Sequence, residues 1–206
     1  MGSDALFWKN KARLKRKEEK RAERENILIV CEGEKTEPNY FKAFHVTSAN
    51  IKVLGKGFNT KSLVKDTEKI NEKARINGEP YDQVWCVFDR DSFTKEQFNT
   101  AIQMAEKYGF HAAYSNEAFE LWYILHSEYF TARLNRKAYQ VKLTKFLGAK
   151  YKKNDTLMYS KLLSKQKKAI RNAKKLLKQY SSTRLADNKP STTVHLLVEV
   201  LNKYIR

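Results

Sequence analysis

Six acidic side chains stand where apolar runs give way to polar residues. They are Glu32 and Glu34 after "ILIVC", Asp89 and Asp91 in "VFDRDS", and Glu117 and Glu120 in "SNEAFELW". Residues two apart in an extended chain point to the same side, so Asp89 and Asp91 face one cation while Arg90 points elsewhere. Carboxylate oxygens are hard donors that suit Mg²⁺ or Mn²⁺. Such ions neutralise the charge that develops on a phosphodiester under attack and activate the attacking group. The expected metal ligands are Glu32, Asp89, Asp91 and Glu120. For Glu120, on an otherwise apolar helix, pairing with a lysine is the alternative. Glu37 and Glu117 fit the acid that a helix dipole favours in a first turn.

These acids need a scaffold that delivers them to one edge. "NILIVC" (26 to 31) and "DQVWCVFD" (82 to 89) are continuous apolar runs, the pattern of strands buried on both faces. "IKVLG" (51 to 55) and "FHAAYS" (110 to 115) supply two more strands. Helices are expected between them: from Thr36 as cap, from Thr60 or Ser62 to about Arg75, over about 94 to 108, and over 117 to 126. Alternating strands and helices predict an α/β fold with a mostly parallel four-stranded sheet flanked by helices. Ligands of such sheets gather at the carboxyl ends of the strands.

The remaining chain changes character. "TARLNRKAYQVKLTKFLG", "MYSKLLSKQKKAIRNAKKLLKQY" and "TTVHLLVEVLNKYI" all read as helices, the second strongly basic. No linker rich in Pro, Gly or Ser separates them from the strands. The expected organisation is a basic arm over 1–25, an α/β core over 26–130 and a helical C-terminal part over 131–206 that packs on the core.

With 41 basic and 23 acidic residues, the 206-residue chain carries a formal charge of +18. That balance points to a polyanion, because each neutralised phosphate releases condensed counterions. Nucleic acid is the expected partner, since no apolar anchor accompanies the charge for a membrane surface. No apolar run approaches the roughly 20 residues that span a bilayer, and the N-terminus has no secretory apolar stretch. Cys31 and Cys86 lie inside strand-like runs and read as reduced core residues of a cytoplasmic protein.

Candidate phosphate contacts are Lys35 and, in the turn "LGKGFNTKS", Lys56 and Lys61. That turn has two glycines but lacks the third of a dinucleotide fingerprint and the G-K-[ST] of a P-loop. The helix "SKQKKAIRNAKKLLKQ" sets Ala169, Ile170, Ala173, Leu176 and Leu177 on one stripe. Its basic remainder, Lys168 and Arg171 included, faces outward as a nucleic-acid track that Tyr151, Lys152 and Lys153 extend. In "DNKPSTTVH", Lys189 and Thr192 stand at a helix start suited to phosphate, and Ser191 or Thr192 would cap that helix. His45, His111, His126 and His195 show no metal-ligand spacing.

A glutamate after the first strand, in "IVCEGEKTE", followed by D-x-D after a later one, in "VFDRD", resembles the Toprim domain of topoisomerases, bacterial primases and OLD-type nucleases. More narrowly, "CEGEKTEPNYF", "VFDRDS", "SNEAFELWYILH" and "PSTTVHLLVEVL" together resemble the RloB family of phage-resistance proteins, from about residue 12 onward. The resemblance implies a Toprim-like, metal-dependent nuclease acting in antiphage defence by abortive infection, controlled by an ATPase partner. It makes Glu32 a general base or metal ligand, and Asp89 and Asp91 the metal-binding pair of the catalytic centre. Glu120 matches the glutamate of the S-N-x-x-F-E-x-W block. Glu117 stands where a small residue or proline is expected, so it is left out of the ligand set. RNA, tRNA included, is favoured over DNA by the resemblance alone. The rival is a non-catalytic nucleic-acid-binding or regulatory subunit on the same core. A topoisomerase or primase would need a gate domain or zinc domain for which the chain has no room.

Overall fold

The computed structural model describes residues 24 to 205 except 56, 58, 59, 91, 92 and 181–183, and the side chains of 60 and 61. The expected arm therefore lies almost wholly outside the described residues, as do Lys56, Asp91 and the side chain of Lys61.

Strands β1 (Glu25–Cys31), β2 (Ala49–Gly55), β3 (Gln83–Asp89) and β4 (His111–Asn116) form the parallel part of the sheet. Residues 27 to 31 of β1 are fully buried. Side chains alternate across a strand. Ile27, Ile29, Cys31, Trp85 and Val87 accordingly enter one core, and Leu28, Val30, Val84, Cys86 and Phe88 enter another on the opposite face. Burial on both faces is why these strands read as unbroken apolar runs.

The second core is covered by α2 (Thr60–Ile76) and α3 (Lys95–Lys107). Helix α3 begins with a capping box in which Thr94 accepts from the Gln97 N–H and Gln97 accepts from the Thr94 N–H. The first core is covered by α1 (Thr36–Lys42), α4 (Glu120–Leu125) and the C-terminal helices α5 (Arg136–Leu147), α6 (Met158–Leu162), α7 (Gln166–Leu177) and α8 (Val194–Asn202). Tyr40 lies at its centre, with the rings of Phe41, Phe44, Phe119, Trp122, Tyr123 and Tyr159 between 5.4 and 6.5 Å away. Residues beyond 131 thus share one apolar cluster with β1 and β3.

Four expectations need correction. The sheet has five strands, in the order β2-β1-β3-β4-β5, and β5 (Ser191–Thr192) runs antiparallel to β4. Two residues with small polar side chains offer no hydrophobic period, so β5 leaves no trace in the pattern. Consequently α8 starts only at Val194 with Thr193 at the cap position; Ser191 plays no part there, while Thr192 Oγ1 accepts from the Val194 N–H at 3.3 Å from inside β5. The basic helical segment is likewise broken, by a 3₁₀ turn over Leu163–Lys165. Thr36 is the first residue of α1 rather than its cap, and its hydroxyl is used elsewhere. Among the described residues, no helix is long and apolar enough to cross a membrane.

Candidate active site

Parallel pairing of β1 with β3, in the register Cys31↔Val87, carries both chains to the same sheet edge. Glu32 extends that ladder by one bond, from its N–H to the Val87 carbonyl at 2.8 Å. Its Oε2 then accepts from the Asp89 N–H at 3.2 Å. The two acids are therefore neighbours across the strand ends, as their positions predict.

Asp89 is only 4% exposed. Its Oδ2 accepts from the Phe119 N–H at 3.0 Å and from Arg136 Nη2 at 3.0 Å. Glu120, at 2% exposure, accepts from Gln140 Nε2 at 3.3 Å and from the Tyr151 hydroxyl at 3.5 Å. Gln140 lies one turn beyond Arg136, so α5 presents both side chains to the carboxylates from one face. Its start is fixed by Asn135, whose Oδ1 accepts from the Ala138 N–H at 2.9 Å.

Glu37 is the unforeseen member. It occupies the first turn of α1, as expected, yet it is buried and lines the same cavity. Burial raises its pKa, its own backbone N–H opposes that, and the Glu120 charge raises it again. Burial likewise pushes the Asp89 carboxyl well above its usual range, and the charges of Glu37 and Glu120 add to the rise. Arg136 and the Phe119 N–H pull the other way. Gly33 makes room for this crowding, since a Cβ there would overlap the Glu37 carboxylate.

The acids open onto a cavity of about 480 Å³, lined by the carboxylates of Glu32, Glu37 and Asp89 together with Lys35, Arg136 and Lys153. Thr36 Oγ1 donates to the Lys153 carbonyl at 2.7 Å and so fastens the 150–154 loop over the start of α1. Among the described residues, no group of three or more His, Cys, Asp or Glu is placed to enclose a metal ion. The donor chemistry still fits a hard divalent cation. Burial is the larger cause of the raised proton affinity of Glu37 and Asp89 and the neighbouring carboxylate charges add to it, so a cation beside them would bring it down. Asp91, the further ligand expected from the sequence, lies outside the described residues.

The sequence-predicted phosphate contacts separate into groups. Lys35 and Lys153 line the cavity, and Lys152 is exposed beside it. Lys168 and Arg171 are exposed on α7, where Lys168 also donates to the Ser127 carbonyl. Lys189 is half-buried in an ion pair with Glu117. Thr192 must be withdrawn. It is fully buried in β5, and its hydroxyl donates to the Tyr114 carbonyl at 2.9 Å, leaving nothing to offer a phosphate.

Arg136 is missed, and Glu37 is read only as a helix-start acid or one supporting the ligands from behind, although the sequence carries a signal for both. Glu37 precedes Tyr40 and Phe41 by three and four residues, which places it on the buried face of α1. Arg136 precedes Tyr139 and Leu143, the buried stripe of α5, by three and seven. Gln140, also missed, and Tyr151, expected on the nucleic-acid track but buried against Glu120, depend on tertiary contacts that no local pattern shows.

A family model described as RloB-like protein matches residues 27–201. No curated protein and no solved structure matches the chain.

Proposed function

Because the chain belongs to the RloB-like protein family, we propose that its carboxylate-lined cavity is the centre of a divalent-metal-dependent nuclease of Toprim-like type. The observation that supports this most is the placing of Glu32 and Asp89 side by side at adjacent strand ends, in a cavity that Glu37 and cationic side chains also line, and near enough to Glu120 to feel its charge. Burial and mutual charge raise two of these carboxylates, Asp89 even with Arg136 beside it.

Glu32 and Asp89, with Asp91, would hold Mg²⁺ or Mn²⁺. A bound divalent ion supplies charge neutralisation at the phosphoryl group and an acidified water. Phe119 N–H and Arg136 fix the orientation of Asp89. The Asp89 N–H orients Glu32. Glu120, held by Gln140 and Tyr151, keeps the rear of the cavity negative. Lys35 and Lys153 receive the nucleic-acid backbone, and the exposed cations of α7 extend the contact. RNA, tRNA included, is the favoured substrate by family resemblance. The setting is antiphage defence in the cytoplasm, under the control of an ATPase partner.

One observation favours the rival, a non-catalytic nucleic-acid-binding subunit: Arg136 already occupies the Asp89 oxygen that an ion would share. Incubating end-labelled RNA and DNA with the protein and Mg²⁺ or Mn²⁺ separates the two. Wild type is expected to cut, and Asp89→Asn and Glu32→Gln to lose at least about 10²-fold in rate, the scale of a lost electrostatic catalytic group. Cutting untouched by both substitutions would overturn the site. Absence of cutting, with the ATPase partner present as well, would favour the binding subunit.

A further inference from the structure

Arg136 differs from the other cations of the cavity in how it is held. Lys35 and Lys153 are exposed side chains on loops, whereas Arg136 is the first residue of a capped twelve-residue helix. Its side chain keeps 31% of its exposure while its partner Asp89 keeps only 6%. An anion entering the cavity therefore meets the guanidinium before it meets the carboxylate behind. A guanidinium presents a planar fork of donors that matches a phosphate as well as a carboxylate. The bond to Asp89 is thus one that a phosphodiester can replace with equivalent geometry. Gln140, on the same helix face, holds Glu120, so α5 stays anchored when Arg136 changes partner.

Resting on the nucleic-acid assignment above, we infer that Arg136 is the phosphate-binding residue of this cavity, exchanging its bond to Asp89 Oδ2 for a non-bridging oxygen of the nucleic-acid backbone. Asp89 then acts as a competitor for the guanidinium in the absence of nucleic acid. The exchange also means that Arg136 releases the carboxylate when the substrate backbone is seated.

The test is binding and not cutting. End-labelled RNA of about 15 nucleotides, and DNA of the same sequence, are titrated with the full chain in EDTA, and anisotropy is followed as salt rises from about 50 to 200 mM. Arg136→Gln is expected to weaken binding roughly tenfold and to reduce the slope of log affinity against log salt by about 0.7, the value for one phosphate of a single strand. Arg136→Lys is expected to keep the slope while losing part of the affinity, because the charge remains and the fork does not. Asp89→Asn is expected to tighten binding, since the competing charge is gone, and Asp89→Asn combined with Arg136→Gln to lose that gain.

A structural role for Arg136 predicts otherwise: an unchanged salt slope in Arg136→Gln, and no tightening in Asp89→Asn. Either result overturns the inference, and the second stands even if Arg136→Gln fails to fold. Equal effects on RNA and DNA match a backbone contact; an effect confined to RNA transfers the contact to the ribose and overturns it. Binding in the expected pattern without cutting keeps this inference and sinks the nuclease. Asp89-dependent cutting with Arg136→Gln unchanged in affinity and slope does the reverse.

Discussion

The hydroxyl of Thr36 donates to the backbone carbonyl of Lys153, 2.7 Å away across 117 residues of sequence. This bond joins the start of α1, which carries Glu37, to the loop that carries Lys153. Thr36→Val keeps the side-chain shape and removes the donor. The expected cost is about 1 kcal/mol in global stability. Faster amide exchange confined to residues 150–154, read by mass spectrometry, would show that the loop has come loose. Unaltered exchange there would mean that the bond is incidental.

Divalent cations should stabilise the fold. At a hundredfold excess over the dissociation constant, the linkage is worth about 2.7 kcal/mol, or roughly 5 to 10 °C in Tm for a chain of this size. Calorimetric melts with Mg²⁺ or Mn²⁺ should show the shift in wild type and lose it in Asp89→Asn. No shift in wild type would remove the metal from the proposal.

Acid should destabilise the protein through its buried histidines. Burial lowers His126 and His195 from 6.5 to about 4. The unfolded chain takes up protons below pH 6.5 and the folded chain does not until about pH 4. Their contribution is thus complete above that window and is lost as pH falls through it. At about 1.4 kcal/mol per pKa unit, each accounts for on the order of 3 kcal/mol. Urea midpoints measured across the window should fall steadily with pH, and His126→Gln should flatten the fall.

Gly55 ends β2 where two backbone carbonyls approach. A Cβ there would stand 2.8 Å from the oxygens of both Gly33 and Glu34. Backbone cannot rotate away, so Gly55→Ala should cost about 1 to 3 kcal/mol. Because those carbonyls belong to the loop after Glu32, nucleic-acid cleavage should fall with stability. Denaturation and cleavage measured on the same preparation check both expectations.

What the sequence made legible follows from burial. Strands β1 and β3 are apolar on both faces and therefore announce themselves, and the acids that follow them could be placed at one edge. Thr192 was misjudged because a hydroxyl at a helix start and one inside a short antiparallel strand look alike without the pairing partner. Glu37 was taken for a helix-start acid because the dipole argument is local, while its burial is set by Tyr40 and Phe41 on the same face. Arg136 sits among basic residues and is singled out only by its spacing from Tyr139. Charge on a buried stripe was the signal in both instances.

Near its end the chain returns to its beginning. The Tyr204 carbonyl accepts from the Thr47 N–H at 3.0 Å and from Ser48 Oγ at 3.2 Å, and its hydroxyl bonds Glu25 on β1. Contacts that span more than 150 residues form only after long loops have closed, which slows folding. β5 imposes the same order in time, since β4 gains its outer neighbour only when residues 191 and 192 arrive.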